Sequence, residues 1–352
     1  MKRRTILGLL LTSVVLMAGC AAPPPISEST IFVVTMGPAD MLAQLKSGDI
    51  DGFIAWEPFN AEAVLSGDGK YLIQSSEAWP DHPCCVLAYA SQYEDEIVLR
   101  AIAWAHIQAT RFLNDPANQE QVIRYAMDFT GKDREVVVEA LQHIEFIEYP
   151  NRQAFKTYFQ KLNQFDILTN LPQDLGFASE EEFFDDFLFR RYFDDVRAAL
   201  DADPRWKPDL VPSDTVVRIG YLLADLHEIA IYVAQQEGYF QEVGLIPGEN
   251  LIVMPPYANG VAVMEAFKNG DIDLSYLGSA PATLKRINDK TPIRVLAGAN
   301  NVGSAIVVRS DSGIDSLEGL AGKTIATPGF GTVQDTLLRM VAEQVGLTIQ
   351  LK

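Results

Sequence analysis

The residues able to do chemistry lie in a few short stretches of this 352-residue chain. Cys84-Cys85 is an adjacent thiol pair. Adjacent cysteines rarely bridge each other, because the ring is strained. A metal site needs further Cys or His at workable spacing, and the chain holds only 3 Cys and 4 His. The pair therefore reads as small buried residues on a strand, and no metal or cofactor is expected. Gly329-Phe330-Gly331-Thr332 stands just before an apolar-periodic stretch, so its backbone N–H groups can hold an anionic or carbonyl oxygen at a helix start. Gly278-Ser279 offers the same chemistry. Asp49, Asp51, Asp271 and Asp273 resemble a carboxylate cluster, but they fall in two separate copies of a repeat and read as turn residues.

That repeat must position the rest. Residues 263–280, VMEAFKNGDIDLSYLGSA, align without gaps with all but the last residue of 41–59, MLAQLKSGDIDGFIAWEPF. In each copy an amphipathic helix turn ends in Lys-x-Gly, at Lys46-Ser47-Gly48 and Lys268-Asn269-Gly270. Glycine stops a helix there because it takes the left-handed conformation cheaply. An Asp-Ile-Asp and a short apolar run follow, which reads as a buried strand. Loops after such strands line ligand crevices in open α/β sheets. Two copies imply two similar lobes facing one cleft.

Composition narrows the function. The net charge of −19 disfavours nucleic acid and anionic membrane as partners. A hydrophobic content of 48% supports a sizeable core, and 10% aromatic residues argue against disorder. At the start, Met1-Lys2-Arg3-Arg4 is a basic segment, residues 5–17 are apolar, and Ala18-Gly19-Cys20 closes the run with small residues. This is a secretory signal, too short to span a membrane comfortably. Its ending is similar to a bacterial lipobox, which implies cleavage before Cys20 and lipidation of that thiol. An ordinary signal with a chance cysteine is the other reading. Residues 21–25, AAPPP, form an extended tether.

Along the chain, residues 31–35 read as a strand and Asp40 as a helix N-cap. Strands follow at 71–73 and 84–89. Residues 94–200 turn helical, including EEEFFDDFLFRRYFDD, whose Phe and Leu recur at helical spacing above an acidic face. Residues 201–214 carry three prolines and no periodicity, and read as a linker. A second α/β pattern starts at 216, with strands at 216–221, 251–254, 291–297, 305–309 and 322–326. Residues 298–303 read as a polar loop, and the chain closes on a strand at 347–351.

From Val216 onward the chain resembles the solute-binding proteins of ABC importers for nitrate, sulfonate, taurine and thiamine-pyrimidine precursors, the NMT1-like family. Gly220-Tyr221, residues 234–244 (AQQEGYFQEVG), 266–273, 316–325 (SLEGLAGKTI) and 329–332 carry the likeness. Residues 41–59 resemble the same family's second-lobe segment, including its Trp-Glu-Pro. The resemblance implies an α/β, two-lobe periplasmic-binding-protein type II fold with a central cleft. The order of segments is rotated, so the fold is expected to be circularly permuted. The expected division is 1–19 signal peptide, 20–30 lipidated tether, 31–200 plus 311–352 second lobe with its helices, 201–214 linker, and 215–310 first lobe.

Matching motifs residue by residue, the resemblance implies a ligand site at Asp225, His227, Tyr257, Asn259, Ser279 and Asn301 on one lobe. Trp56, Glu57, Trp79, His82, Phe330, Gly331 and Thr332 come from the other. Trp56, Trp79 and Tyr257 can stack on a flat ring. Glu57 and Asp225 can accept from ring amines or a cation. Equally, Trp56 and Tyr257 can be core aromatics, Asp225 a helix cap, and His82 an ordinary loop histidine. The function implied is non-catalytic delivery of a small organic solute to ABC permease transmembrane subunits. The protein would be monomeric and extracytoplasmic, held to the membrane by lipid alone. The alternatives are an enzyme of thiamine-pyrimidine-synthase type, which Cys84-Cys85 faintly echoes, and a ligand-sensing module for a receptor.

Overall fold

The computed structural model describes residues 29–352, so the signal segment and Cys20 lie outside the described residues. The strands are β1 Thr30–Thr35, β2 Gly52–Trp56, β3 Gly69–Gln74, β4 Pro83–Ala90, β5 Ile144–Phe146 and β6 Val217–Gly220. They continue with β7 Leu251–Val253, β8 Leu274–Gly278, β9 Ile293–Val302, β10 Ser304–Arg309, β11 Thr324–Thr327 and β12 Thr348–Leu351. They form two six-stranded sheets, ordered β12-β1-β11-β2-β10-β3 and β5-β9-β4-β8-β6-β7. Helices cover both sheets, so the chain is a two-lobed α/β molecule.

The repeat behaves alike in each lobe. Helices Pro38–Ser47 and Gly260–Asn269 end at Gly48 (φ +83°) and Gly270 (φ +75°). The chain then enters fully buried β2 and β8, one in each sheet. Two of the four aspartates hold structural partners: Asp51 accepts the Thr324 N–H, and Asp273 holds the Arg218 guanidinium.

Two strands decide the lobe boundary, and they place it elsewhere than expected. β4 runs antiparallel between β8 and β9, and β10 runs antiparallel between β2 and β3. One lobe therefore takes its strands from 30–74 and 304–351, the other from 83–302. The helical stretch 96–202 builds on the second of these, not on the lobe of β1. Helix Glu96–Asn114 packs against β9 and the helices Arg191–Ala202 and Ala230–Gln236. β4 and β10 are apolar runs buried on both faces, and such a run suits either sheet equally well. Within the described residues the chain passes between lobes only at 75–82 and at Gly303.

A second difference concerns 298–303. These residues extend β9 to Val302 rather than forming a loop. The polar Asn300 is tolerated in the strand because its side chain accepts the Cys85 N–H and donates to the Val302 carbonyl. The acidic aromatic run folds as two helices, Glu180–Phe187 and the start of Arg191–Ala202, with Phe183, Phe184, Phe187 and Phe193 fully buried and Ser179 capping the first. β12 lies beside β1 in parallel, with Thr30 opposite Thr348 and Val33 opposite Leu351. No helix among the described residues is long and apolar enough to cross a membrane.

Candidate ligand cleft

Where the lobes face each other, a narrow cleft leaves a cavity of about 20 Å³. Trp56, Thr332, Val333 and Gln334 line it from one lobe. Cys84, Cys85, Leu222, Asp225, Asn259, Gly260, Gly278 and Pro281 line it from the other. The strand–helix units explain the lining. Helices Gly260–Asn269, Ser279–Asn288 and Val333–Gln344 all start at the cleft. Their first-turn N–H groups lack partners within the helix, and their dipoles are positive at this end. Asn259 satisfies Val261 and Ala262, and Thr332 satisfies Asp335. Gly278 offers no capping side chain. Trp56 ends β2 at 4% exposure, its indole N–H buried without a partner.

Of the residues expected at the site, Trp56, Asp225, Asn259 and Thr332 come together in this lining. The others do not line it. Trp79 stacks on His82 at 5.6 Å and meets Tyr158 edge-on at 4.6 Å. His82 is fully buried, with Nδ1 2.9 Å from the Trp79 carbonyl. Tyr257 bridges to Leu222 through its backbone and packs over Gly220. Ser279 donates to the Pro83 carbonyl, and Asn301 lies in β9 opposite Glu145. Phe330 is 45% exposed beside the Arg339 guanidinium, and Gly331 abuts Leu284.

Glu57 and His227 sit in the wall behind the lining. Glu57 accepts the Ala61 N–H through Oε2, while Oε1 has no partner. Burial pushes its carboxyl up to about 8 against the pull of that N–H. His227 follows Asp225, whose carboxylate takes the His227 N–H as an N-cap. Its Nε2 lies 3.0 Å from the Gly303 carbonyl, and its Nδ1 lies 3.4 Å from the Cys84 sulfur. Burial pushes Asp225 up to about 7. Burial alone would lower His227, but Cys84 and Asp225 outweigh it and carry the imidazole up to about 10. The site thus holds acceptor carboxyls, helix N-termini and one indole, and among the described residues no Lys or Arg lines it.

Sequence reasoning missed Cys84, Cys85, Gly260 and Gln334 as lining residues, and Glu228 as a buried carboxyl whose Oε2 holds the Leu222 N–H. Gly260 and Gln334 carried a signal, since each sits at a helix start. The thiol pair was visible in the sequence, but its meeting with His227 was not, because His227 is remote along the chain.

A family model described as NMT1-like family matches residues 10–127, and one described as NMT1/THI5 like matches residues 227–350. Over 92 residues the chain is 36% identical to the bicarbonate transport ATP-binding protein CmpC of Synechococcus elongatus, spanning 25% of this chain and 14% of that protein. Over 133 residues it is 23% identical to the nitrate/nitrite binding protein NrtA of Nostoc sp., spanning 36% of this chain and 30% of that one. Among solved structures, NikA from Brucella suis in complex with Fe(III)-EDTA aligns with a TM-score of 0.32 at 12% identity, over 79% of this chain and 56% of that one. The chain thus spans less than a third of the length of each of these curated relatives.

Proposed function

Since this chain belongs to the NMT1-like family, we propose that it is an extracytoplasmic solute-binding protein delivering a small organic solute to the membrane subunits of an ABC-type importer. The observation that carries this is the cleft: two lobes joined by two short crossings present helix N-termini from both sides and Trp56 from one. Such a build binds by hinge closure. The likeness to a nitrate/nitrite binding protein and to an ATP-binding transport protein supports it.

The lining narrows the solute. Helix N-termini favour a carbonyl or carboxylate oxygen. The Asp225 carboxyl suits an amine, and Trp56 suits a flat group. With no cationic side chain in the lining, a bare inorganic anion fits less well than an amine-bearing ring compound. Mass spectrometry of ligand released from the purified protein identifies it. Trp56→Ala is then expected to weaken binding by about 5–160-fold, or roughly 1–3 kcal/mol. Unchanged affinity would remove the cleft as the site. Conversion of the bound compound by the pure protein would favour the synthase alternative over carriage.

The anchor and chain order extend this reading. We propose that Cys20 carries lipid, so that Cys20→Ser releases the protein from the membrane fraction. A variant that stays membrane-bound overturns the anchor. The pairing of β12 with β1 supports a circularly permuted order of family segments.

A further inference from the structure

We propose that Cys84, Cys85 and His227, with Asp225 as fourth donor, form a binding site for a zinc-type metal ion at the floor of the cleft. The donor atoms are already gathered. The Cys84 and Cys85 sulfurs and a His227 nitrogen lie within 4.8 Å of one another. His227 Nδ1 is 3.4 Å from Cys84 Sγ, 4.0 Å from Cys85 Sγ and 3.2 Å from Asp225 Oδ1. Cys85 Sγ is 3.9 Å from Asp225 Oδ2. Ligands around a tetrahedral zinc stand roughly 3.3–3.8 Å apart, given its bond lengths of about 2.0–2.3 Å. Small side-chain rotations would bring this set to that spacing.

Two local features make the gathering specific. Neighbouring side chains on a strand point to opposite faces, yet both thiols reach the same imidazole. The register of β4 against β9 shifts between Pro83 and Cys85 and again between Cys85 and Val86. Such irregularities re-aim side chains. The second feature is the histidine's far nitrogen. A carbonyl oxygen only accepts, so the 3.0 Å contact with Gly303 assigns the hydrogen to Nε2. This leaves Nδ1 facing the sulfurs, which is how metal-ligating histidines are usually oriented by their outer partner. Gly303 has no alternative residue here, because a Cβ would stand 2.2 Å from Nε2.

Donor supply and access point the same way. A Glu228 oxygen lies within 4.8 Å of Cys85 Sγ and of an Asp225 oxygen, so a further carboxylate stands beside the thiols. Two sulfurs and one imidazole select a thiophilic ion of zinc type over calcium or magnesium, which take oxygen ligands. Cys84, Cys85 and Asp225 all line the cleft, so an ion has an entry path. The site stands whether or not the cleft also carries an organic solute.

Cobalt(II) is the probe, added to the full chain carrying Cys20→Ser, so that Cys84 and Cys85 are its only thiols. A near-ultraviolet thiolate-to-cobalt band and strong visible bands of tetrahedral cobalt should saturate at a single ion per chain and vanish on adding zinc. Cys84→Ser, Cys85→Ser and His227→Gln, each confirmed folded by circular dichroism, should lose more affinity than the roughly 10–100-fold typical of losing an outer partner. Without any substitution at the ligands, zinc should also slow alkylation of both thiols. Absence of the thiolate band, an unchanged spectrum and affinity in Cys84→Ser, or zinc-independent alkylation would each overturn the site. Solute affinity, measured separately, reports on the carrier function.

Discussion

Glu57→Gln is expected to abolish a fall in stability between about pH 4.5 and 8 and to leave the protein more stable at pH 8 by roughly 4 kcal/mol. Glu57 is fully buried, and burial raises its carboxyl from 4.5 to about 8. Below pH 4.5 the group is protonated in both folded and unfolded chains and imposes no penalty. As pH rises, the unfolded chain releases the proton while the folded chain keeps it. The folded state then binds more protons, so stability falls with pH, by about 1.36 kcal/mol per unit, until the folded group also ionises near 8. Glutamine keeps an oxygen for the Ala61 N–H and never ionises. The groups facing Glu57 are His227, which lowers its pKa, and Glu139, which raises it, and both remain in the variant. Urea unfolding of both proteins at pH 5 and pH 8 measures the difference. Equal slopes would mean that Glu57 is ionised in the fold, with a counter-charge to find.

Gly303→Ala is expected to destabilise the protein by about 3 kcal/mol or more. Gly303 is the whole second crossing between lobes and takes φ +87°. An alanine there meets the left-handed penalty of about 1–2 kcal/mol. Its Cβ also lands 2.2 Å from His227 Nε2, in a buried wall that cannot yield. The Gly303 carbonyl further holds the Glu57 N–H at 3.1 Å, so displacement disturbs both lobes. Gly67→Ala separates the two causes. Gly67 takes φ +80° with nothing within 4 Å of a Cβ, so it carries only the backbone penalty of about 1–2 kcal/mol. Thermal unfolding of both variants tests the difference. Equal losses would show that the His227 wall relaxes freely.

The two predictions rest on information of different kinds, and so do the fold and the site. Residues 41–59 and 263–280 announced a helix, a glycine stop and a buried strand, twice. Each signal is local: helical spacing of apolar residues, then Gly48 or Gly270 where the backbone turns left-handed. The starts of helices Gly260–Asn269 and Val333–Gln344 were equally legible, through Asn259 and Thr332. Hence the helix starts that line the cleft could be read from the chain alone. The sheet that β4 or β10 joins could not, because an apolar run buried on both faces fits any central position, and its partners are chosen by closing the whole sheet. That choice moved the lobe boundary and carried helices 96–202 with it. It also set Cys84 and Cys85 beside His227, turned Trp79 onto His82, and left Trp56 alone of the three aromatics at the cleft. Contacts between residues far apart in sequence leave no period or spacing to read. They exist only once two sheets have packed and the segments between them have been drawn into register.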